Sequence, residues 1–278
     1  EKVRPIRQFS WAPDSSRILY VQDKGGDENY LLYGVDLEGR ETRGYTPFEN
    51  TRVLIYAISP EVKDSILIGV NNRDPRLHDV HRLDLRTGEL SLVYENPGWA
   101  GFEFDRQLNL RLAVRQTPDG GFEVHRFEAD GRTVPFMSVG AEDSLTTSTI
   151  GYTSDGETLY LVDSRGRDTA ALVAMDVGSG ERSVIGQHAR ADVAGAIADP
   201  ATGVMQAFSA NYLRSEWAPI GAALARDIAF LDERAGGSWS VTSQSDDNRF
   251  WTLGVDRGGE PYAFYLYDRQ GKTPKRLF

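Results

Sequence analysis

An all-β fold, a β-propeller of six recognisable four-stranded blades, is predicted by three features of this 278-residue sequence. A module recurs about every 46 residues, each module is rich in strand-forming residues, and its third strand is apolar on both faces.

Each module opens with a short strand running into a turn of acidic and small residues: "FSWAPDSS", "YAISPEVKD", "FEFDRQ", "IGYTSDGET", "AIADPATG" and "SVTSQSDDN". With Pro13, Pro60, Arg106, Ser154, Pro200 and Ser245 aligned, the intervals are 47, 46, 48, 46 and 45 residues. A second strand follows as "RILYV", "SILIGV", "LRLAV", "TLYLV", "VMQAF" and "FWTLGV", dominated by branched and aromatic residues. After a polar loop, the third strand closes on an acidic residue and a glycine turn: "LYGVDLEG", "VHRLDLRTG", "VHRFEADG", "LVAMDVGSG" and "FYLYDRQG". The fourth strand is the tail, as in "RETRGYT", "LSLVYE" and "RSVIGQ". Four-stranded meanders of this length are propeller blades. The blades are expected near 5–47, 52–95, 98–140, 148–188, 191–236 and 238–278, within one propeller domain over 1–278.

Four residues before the acid of the third-strand turn stand Leu32, Val80, Val124, Leu172 and Phe264; one residue before it stand Val35, Leu83, Phe127, Met175 and Tyr267. These positions point to opposite faces of a strand, so each blade is expected to be covered on both sides. The fifth module breaks step. Ile220, Leu224, Ile228 and Leu231 fall at helical spacing with Gly236 beyond them, which predicts a helix over about 220–233 in place of that blade's last strand.

The formal net charge of −10 argues against phosphate backbones, and nucleic acid is not an expected partner. There is no cysteine, which removes disulfides, thiolate zinc sites and cysteine nucleophiles. No run of 18 apolar residues exists to cross a bilayer, and the first residues lack the apolar stretch of a signal peptide. A soluble bacterial cytoplasmic protein is expected, with the periplasm as the alternative, and the start at Glu1 reads as a piece of something longer.

Catalytic chemistry is hard to find. His81 and His125 occupy a third-strand slot that elsewhere holds Tyr33, Val173 and Tyr265, which favours packing over a metal or general-base role. His78 is three residues from His81, so the two face opposite ways along a strand and cannot share a metal. His188 reads as a solvated loop residue. No GxSxG elbow, HExxH, EF-hand loop or phosphate loop is present. No catalytic residue, metal or cofactor is therefore assigned, and a channel-metal hydrolase is set aside because the first strands offer mainly Phe, Trp, Tyr and Ile, with Glu103 the one acid among their core positions.

What stands out instead are the loops between second and third strands, "QDKGGDENY", "NNRDPRLHD", "TPDGG", "DSRGRDTAA", "SANYLRSEW" and "DRGGEPY". In a meander these lie on the same side as the blade-to-blade connections, where a rigid scaffold presents binding groups. Solvated internal ion pairs are the plain alternative. The candidates for contacting a substrate or a neighbouring domain are Lys24, Asp27, Glu28, Asn29, Arg73, Asp74, Arg76, Asp79, Arg165, Arg167, Asp168, Arg214 and Glu216. Paired Arg and Asp suit bidentate contact with carboxylates, and substitution of Arg73 or Arg167 is expected to affect substrate handling more than stability.

The stretches "QDKGGDENYLLYGVDL", "TPFENTRV", "NNRDPRLHDVHRLDLRTGEL", "EDSL", "DSRGRDTAALVAMDV" and "NYLRSEW" closely resemble the N-terminal propeller of prolyl oligopeptidase family (S9) serine peptidases, of the dipeptidyl aminopeptidase or acylaminoacyl peptidase type. The resemblance implies a C-terminal α/β-hydrolase domain carrying a Ser, Asp and His triad beyond Phe278, none of whose residues has a counterpart here, and a further blade before residue 1, making these six of seven. It implies a noncatalytic propeller that gates and orients peptide substrates, with that hydrolase domain and the peptides as partners. The acidic pair that binds the substrate amine in dipeptidyl branches lies on a helix, and Asp27 with Glu28, in a glycine loop, is not equated with it. A free-standing interaction platform for other proteins is the alternative.

Overall fold

The computed structural model describes residues 5–278. Among them, 23 strands form six sheets, each a sequential antiparallel meander, which is the blade pattern of a β-propeller. The first sheet comprises β1 (Gln8–Trp11), β2 (Arg17–Gln22), β3 (Leu31–Asp36) and β4 (Thr42–Gly44). The second comprises β5 (Val53–Ala57), β6 (Ser65–Asp74), β7 (Leu77–Asp84) and β8 (Leu90–Tyr94), and the third β9 (Gly101–Phe104), β10 (Leu110–Gln116), β11 (Phe122–Phe127) and β12 (Thr133–Val139). The fourth is β13 (Ser148–Tyr152), β14 (Thr158–Asp163), β15 (Ala171–Asp176) and β16 (Arg182–Gly186). The fifth has three strands, β17 (Val193–Ala198), β18 (Met205–Asn211) and β19 (Ser215–Pro219), followed by helix α1 (Ala225–Arg234). The sixth is β20 (Ser238–Gln244), β21 (Phe250–Asp256), β22 (Ala263–Asp268) and β23 (Thr273–Arg276).

The recurring acid of the third-strand turn has a local physical cause. Asp36 Oδ1 accepts the backbone N–H groups of Glu38 and Gly39 at 2.8 and 2.9 Å, and Asp84, Asp176 and Asp268 repeat the arrangement with Arg86, Ser179 and Gln270. The carboxylate completes an Asx turn, which supplies partners for N–H groups that the chain reversal would otherwise leave without one.

The chain divides into two compact units. The first contains residues up to Pro118 together with Phe122–Ser138; the second contains Asp119–Gly121 and Val139–Phe278. In the first unit the alternation of β6 sets its packing. Ile66, Ile68 and Val70 face Leu19, Val21 and Leu32 of the first sheet, while Leu67 joins Val80, Tyr56, Phe102 and Phe104 towards the third sheet. Gly69 stands opposite Val80, and a Cβ there would lie 2.6 Å from the Tyr56 ring, so the glycine makes room for that tyrosine. Tyr56 in turn meets Phe102 and Phe104 at 5.9 and 5.8 Å between ring centres. On β1, Phe9 is 71% and Trp11 56% exposed, and Phe9 lies in line with Tyr20 and Tyr33, whose rings stack at 5.4 Å.

In the second unit, Leu172 of the fourth sheet packs with Val193 and Met205 of the fifth. Ile197 and Ala207 pack with Ile228 and Leu231 of α1 and with Trp239, Trp251, Leu253 and Tyr267 of the sixth. The helix therefore fills the place of a fourth strand between two sheets. It begins at Ala225, later than the spacing predicts, for two reasons: the Ile220 N–H extends the β18 ladder by donating to the Gln206 carbonyl at 2.7 Å, and Gly221 sits at φ +73°. The helix is pinned by a buried carboxylate. Asp227 accepts hydrogen bonds from Tyr267 Oη at 2.9 Å, from Arg269 Nη2 at 3.1 Å and from Lys272 Nζ.

Candidate functional site

The stretch "NNRDPRLHD" is for the most part strand. β6 runs on to Asp74 and β7 begins at Leu77, so only Pro75 and Arg76 turn the hairpin. Val70 pairs with Asp79 and Asp74 with Leu77, which leaves Asn71, Asn72 and Arg73 opposite His78 in a wide bulge. The bulge turns Arg73 back on its own hairpin. Its Nε and Nη2 each donate to the Asp79 carboxylate at 2.8 Å, and Nη2 also reaches the Asn96 carbonyl at 2.9 Å. The Asn96 backbone N–H completes the carboxylate's shell at 2.7 Å. Asp79 is held below the usual carboxylate range, first by the Arg73 hydrogen bonds and further by the Asn96 N–H, against the opposing effect of burial.

At the hairpin tip Arg76 donates to Asp74 through Nε and Nη2 at 3.0 and 2.8 Å. Those hydrogen bonds draw the Asp74 pKa down to about 2. All four candidates of this hairpin are thus engaged with one another, in the two pairs Arg73–Asp79 and Arg76–Asp74.

The first-sheet loop is organised by Asp27. Its Oδ1 accepts the N–H groups of Lys24 and Asn29 at 3.2 and 3.1 Å, and Asn29 Nδ2 lies 3.4 Å from Oδ2. Glu28 takes a left-handed φ of +60° and its N–H donates to Asp23 at 3.4 Å. The Lys24 and Glu28 side chains point charge into solvent.

In the second unit, Arg165 is committed to Asp163 through Nε at 2.8 Å and Nη2 at 2.6 Å. Burial would raise the Asp163 pKa, but the Arg165 side-chain and backbone hydrogen bonds outweigh it and hold the carboxyl low. Two residues on, Arg167 reaches only Gln187 Oε1 at 3.5 Å, and both it and Asp168 are exposed. Arg214 tips the β18–β19 hairpin beside Leu213, which is 87% exposed. Glu216 lies on β19, its carboxylate 4.0 Å from His188 Nε2. Arg214 and Glu216 come together with Asp232, Gly236 and Gly237 in a cleft of about 370 Å³ that Trp217 also lines. Trp217 stacks on Trp239 at 5.3 Å and donates to its carbonyl, while Trp239 Nε1 donates to Asp232 at 2.8 Å, so the wall of the cleft is rigid. The cleft presents the Glu216 carboxylate, met only loosely by His188, and the Arg214 guanidinium, for which no carboxylate partner is found among the described residues, an arrangement suited to polar, backbone-rich ligands.

The histidines sit as packing residues do. His81 Nδ1 lies 3.2 Å from its neighbour's Asp79 carbonyl, and His125 packs on Trp99 at 5.0 Å with Nε2 3.4 Å from Glu123. Among the described residues, no three His, Cys, Asp or Glu side chains converge as metal ligands would. A group not singled out by the loop comparison is Arg7, Tyr30, Arg52 and His78, gathered beside the bulge of the second sheet.

No family model matches the chain. The chain has the fold of a β-propeller, and its sequence is similar along its whole length to two curated proteins named as a dipeptidyl aminopeptidase and a dipeptidyl peptidase family member, which is consistent with the N-terminal propeller of the prolyl oligopeptidase family. It is 41% identical over 279 residues to dipeptidyl aminopeptidase BIII of Pseudoxanthomonas mexicana, covering 100% of this chain and 40% of that protein. Dipeptidyl peptidase family member 6 of Caenorhabditis elegans is 26% identical over 292 residues, with 98% of this chain and 39% of that protein covered. The chain thus spans about two fifths of the length of these curated relatives. Among solved structures, prolyl oligopeptidase B from Galerina marginata shares the fold at a TM-score of 0.60 and 13% identity, over 99% of this chain and 42% of that one. An oligogalacturonate lyase from Vibrio parahaemolyticus does so at 0.60 and 12%, over 98% and 77%. At these identities the structures speak for the fold alone.

Proposed function

We propose that the chain is the noncatalytic propeller of a serine peptidase, gating and orienting short peptide substrates for an α/β-hydrolase domain carried on the same polypeptide. The observation that carries this reading is the 41% identity to a dipeptidyl aminopeptidase, sustained over the whole of this chain and only 40% of the relative. In this reading the sheets act as a rigid frame, and the exposed groups with no charge partner among the described residues, Lys24, Glu28, Arg167, Asp168 and Arg214, meet substrate or the hydrolase face. Arg73, Asp79 and Arg165 hold those loops in shape, and so act as positioning residues.

The test is made on the polypeptide at its natural length. A GxSxG serine with later Asp and His, and release of dipeptides from short peptides that Ser→Ala abolishes, are the expected results. A natural polypeptide without that serine motif overturns the reading.

A further inference from the structure

Many arginines of this acidic chain are gripped by a carboxylate, as Arg73 is by Asp79, Arg106 by Glu61 and Arg111 by Asp105. Arg7 and Arg52 are not. Both are exposed, and among the described residues neither meets a carboxylate. Instead both lie over the same ring, with guanidinium carbons 5.9 and 5.7 Å from the centre of Tyr30. Tyr30 itself is 9% exposed, and among the described residues its buried hydroxyl has no hydrogen-bond partner.

The position of Arg52 is fixed by its backbone. Its N–H donates to Asn71 Oδ1 at 2.6 Å, and the next residue, Val53, donates to the Tyr30 carbonyl at 2.8 Å. That seats Arg52 between the end of the first-sheet loop and the bulge facing His78. Among the described residues His78 Nε2 is likewise buried without a partner, and burial, with the nearby charge of Arg52, lowers the pKa of its imidazole. Among the described residues, two guanidiniums without a carboxylate partner thus flank one ring, beside two buried polar atoms with unused hydrogen-bonding capacity. Buried donors and acceptors are satisfied in the great majority of cases, and an exposed pair of cations over one ring is the arrangement that an oxyanion completes.

We propose that Arg7 and Arg52, set over Tyr30, form a carboxylate-binding subsite on the first unit. It rests on the peptidase reading, because peptides are what would bring a carboxylate to this surface. The shared chemistry is one carboxylate received by two guanidinium forks, whether it is the peptide's C-terminus or an acidic side chain. Bringing the anion in draws the guanidiniums together and gives the phenol hydroxyl an acceptor.

The experiment uses the natural-length protein and calorimetric titration with three peptides: a tripeptide free acid, its C-terminal amide, and an amide carrying an aspartate. The subsite predicts that at least one carboxylate-bearing peptide binds about tenfold or more tighter than the plain amide. Arg7→Ala and Arg52→Ala each erase that preference and leave the amide's affinity unchanged. Arg52→Lys and Tyr30→Phe, which keep charge and shape, give intermediate losses and stand in for any alanine variant whose melting curve shows that it has not folded. Preference for the free acid identifies the terminal carboxylate, and preference for the aspartyl amide identifies the side chain. If all three peptides bind alike, or the preference survives in both alanine variants, the subsite falls while peptide hydrolysis keeps the peptidase reading. If no peptide binds or is cleaved, propionate separates the two: binding that Arg52→Ala abolishes upholds the subsite and overturns the peptidase reading, and no binding overturns the subsite.

Discussion

Arg73 closes on Asp79 through two parallel hydrogen bonds of 2.8 Å, and the carboxylate it holds is 3% exposed although the guanidinium is much more open. The pair ties the bulge of β6 to the strand that follows it and, through Asn96, to the connection leaving the second sheet. Arg73→Ala would leave that carboxylate buried without its main partner, so a clear fall in Tm is expected. Arg76→Ala, at the solvated tip of the same hairpin, is expected to leave Tm nearly unchanged, because surface pairs contribute little. Equal melting curves for the two variants would show that the inner pair carries no stability.

Arg167 offers the opposite contrast. Among the described residues its guanidinium reaches only Gln187, so on the proposed peptidase reading Arg167→Ala is expected to lower kcat/KM by about tenfold with Tm unchanged. Steady-state kinetics on the natural-length enzyme, beside a thermal melt, checks both halves. An unchanged kcat/KM would take this loop out of the substrate path.

Gly69→Ala forces a methyl to 2.6 Å from the Tyr56 ring and is expected to destabilise by about 1–3 kcal/mol. The cost should shrink in a Tyr56→Leu background, since the clashing ring atoms are gone. A double-mutant cycle by urea denaturation measures the coupling, and strict additivity would mean that the ring moves aside freely.

Tyr56 also gives a spectroscopic reading. Burial, with the Asp79 carboxylate adding to it, pushes its hydroxyl up to about 12, against about 10 for an unfolded tyrosine. Its neutral form is favoured by folding, so this contribution is fully present below about pH 10 and is lost as pH rises towards 12. Ultraviolet titration should show Tyr56 ionising late, together with Tyr267, whose hydroxyl is also pushed up by burial and by its hydrogen bond to Asp227, and the Tyr56→Phe difference spectrum isolates the Tyr56 share.

At the acid end, Asp79, Asp163 and Asp227 are all held below the unfolded carboxylate value of about 3.9. For Asp227 burial opposes this, and the hydrogen bonds from Lys272, Tyr267 and Arg269 prevail. Below about pH 4 the unfolded chain binds more protons than the folded one, so stability declines as pH falls through the folded pKa values. Asp227→Asn should cost on the order of 3 kcal/mol at neutral pH and flatten part of that decline. Chemical denaturation at several pH values tests this, and a variant with the wild-type acid slope would contradict it.

The sheets were legible because their signals are local and repeated. Asp36, Asp84, Asp176 and Asp268 each close a turn with their own neighbours, so the same short pattern returns in four of the six blades. The helix was legible from Ile228 and Leu231, but its start was not, since that depends on Ile220 finding Gln206 across a sheet. The "NNRDPRLHD" stretch reads as a loop because Asn71, Asn72 and Arg73 break the alternation of β6; only the bulge, a property of two strands in register, shows how they are accommodated. Arg73 with Asp79 looks like a ligand pair in sequence for the same reason. Nothing local marks Arg7, Tyr30 and Arg52 as companions, because their meeting requires two sheets to be packed.

Asp227 emerges 40 to 45 residues ahead of its partners Tyr267, Arg269 and Lys272. Until those residues have been made, the helix that completes the fifth sheet has a carboxylate that cannot be buried without heavy loss. The fifth sheet is therefore finished by the sixth, whose Tyr267, Arg269 and Lys272 act as a clasp. A chain cut at Asp256 keeps Trp239, Trp251 and Leu253, on which Ile228 and Leu231 pack, but loses every group that receives the Asp227 carboxylate, so the helix would dock with a buried charge left unanswered.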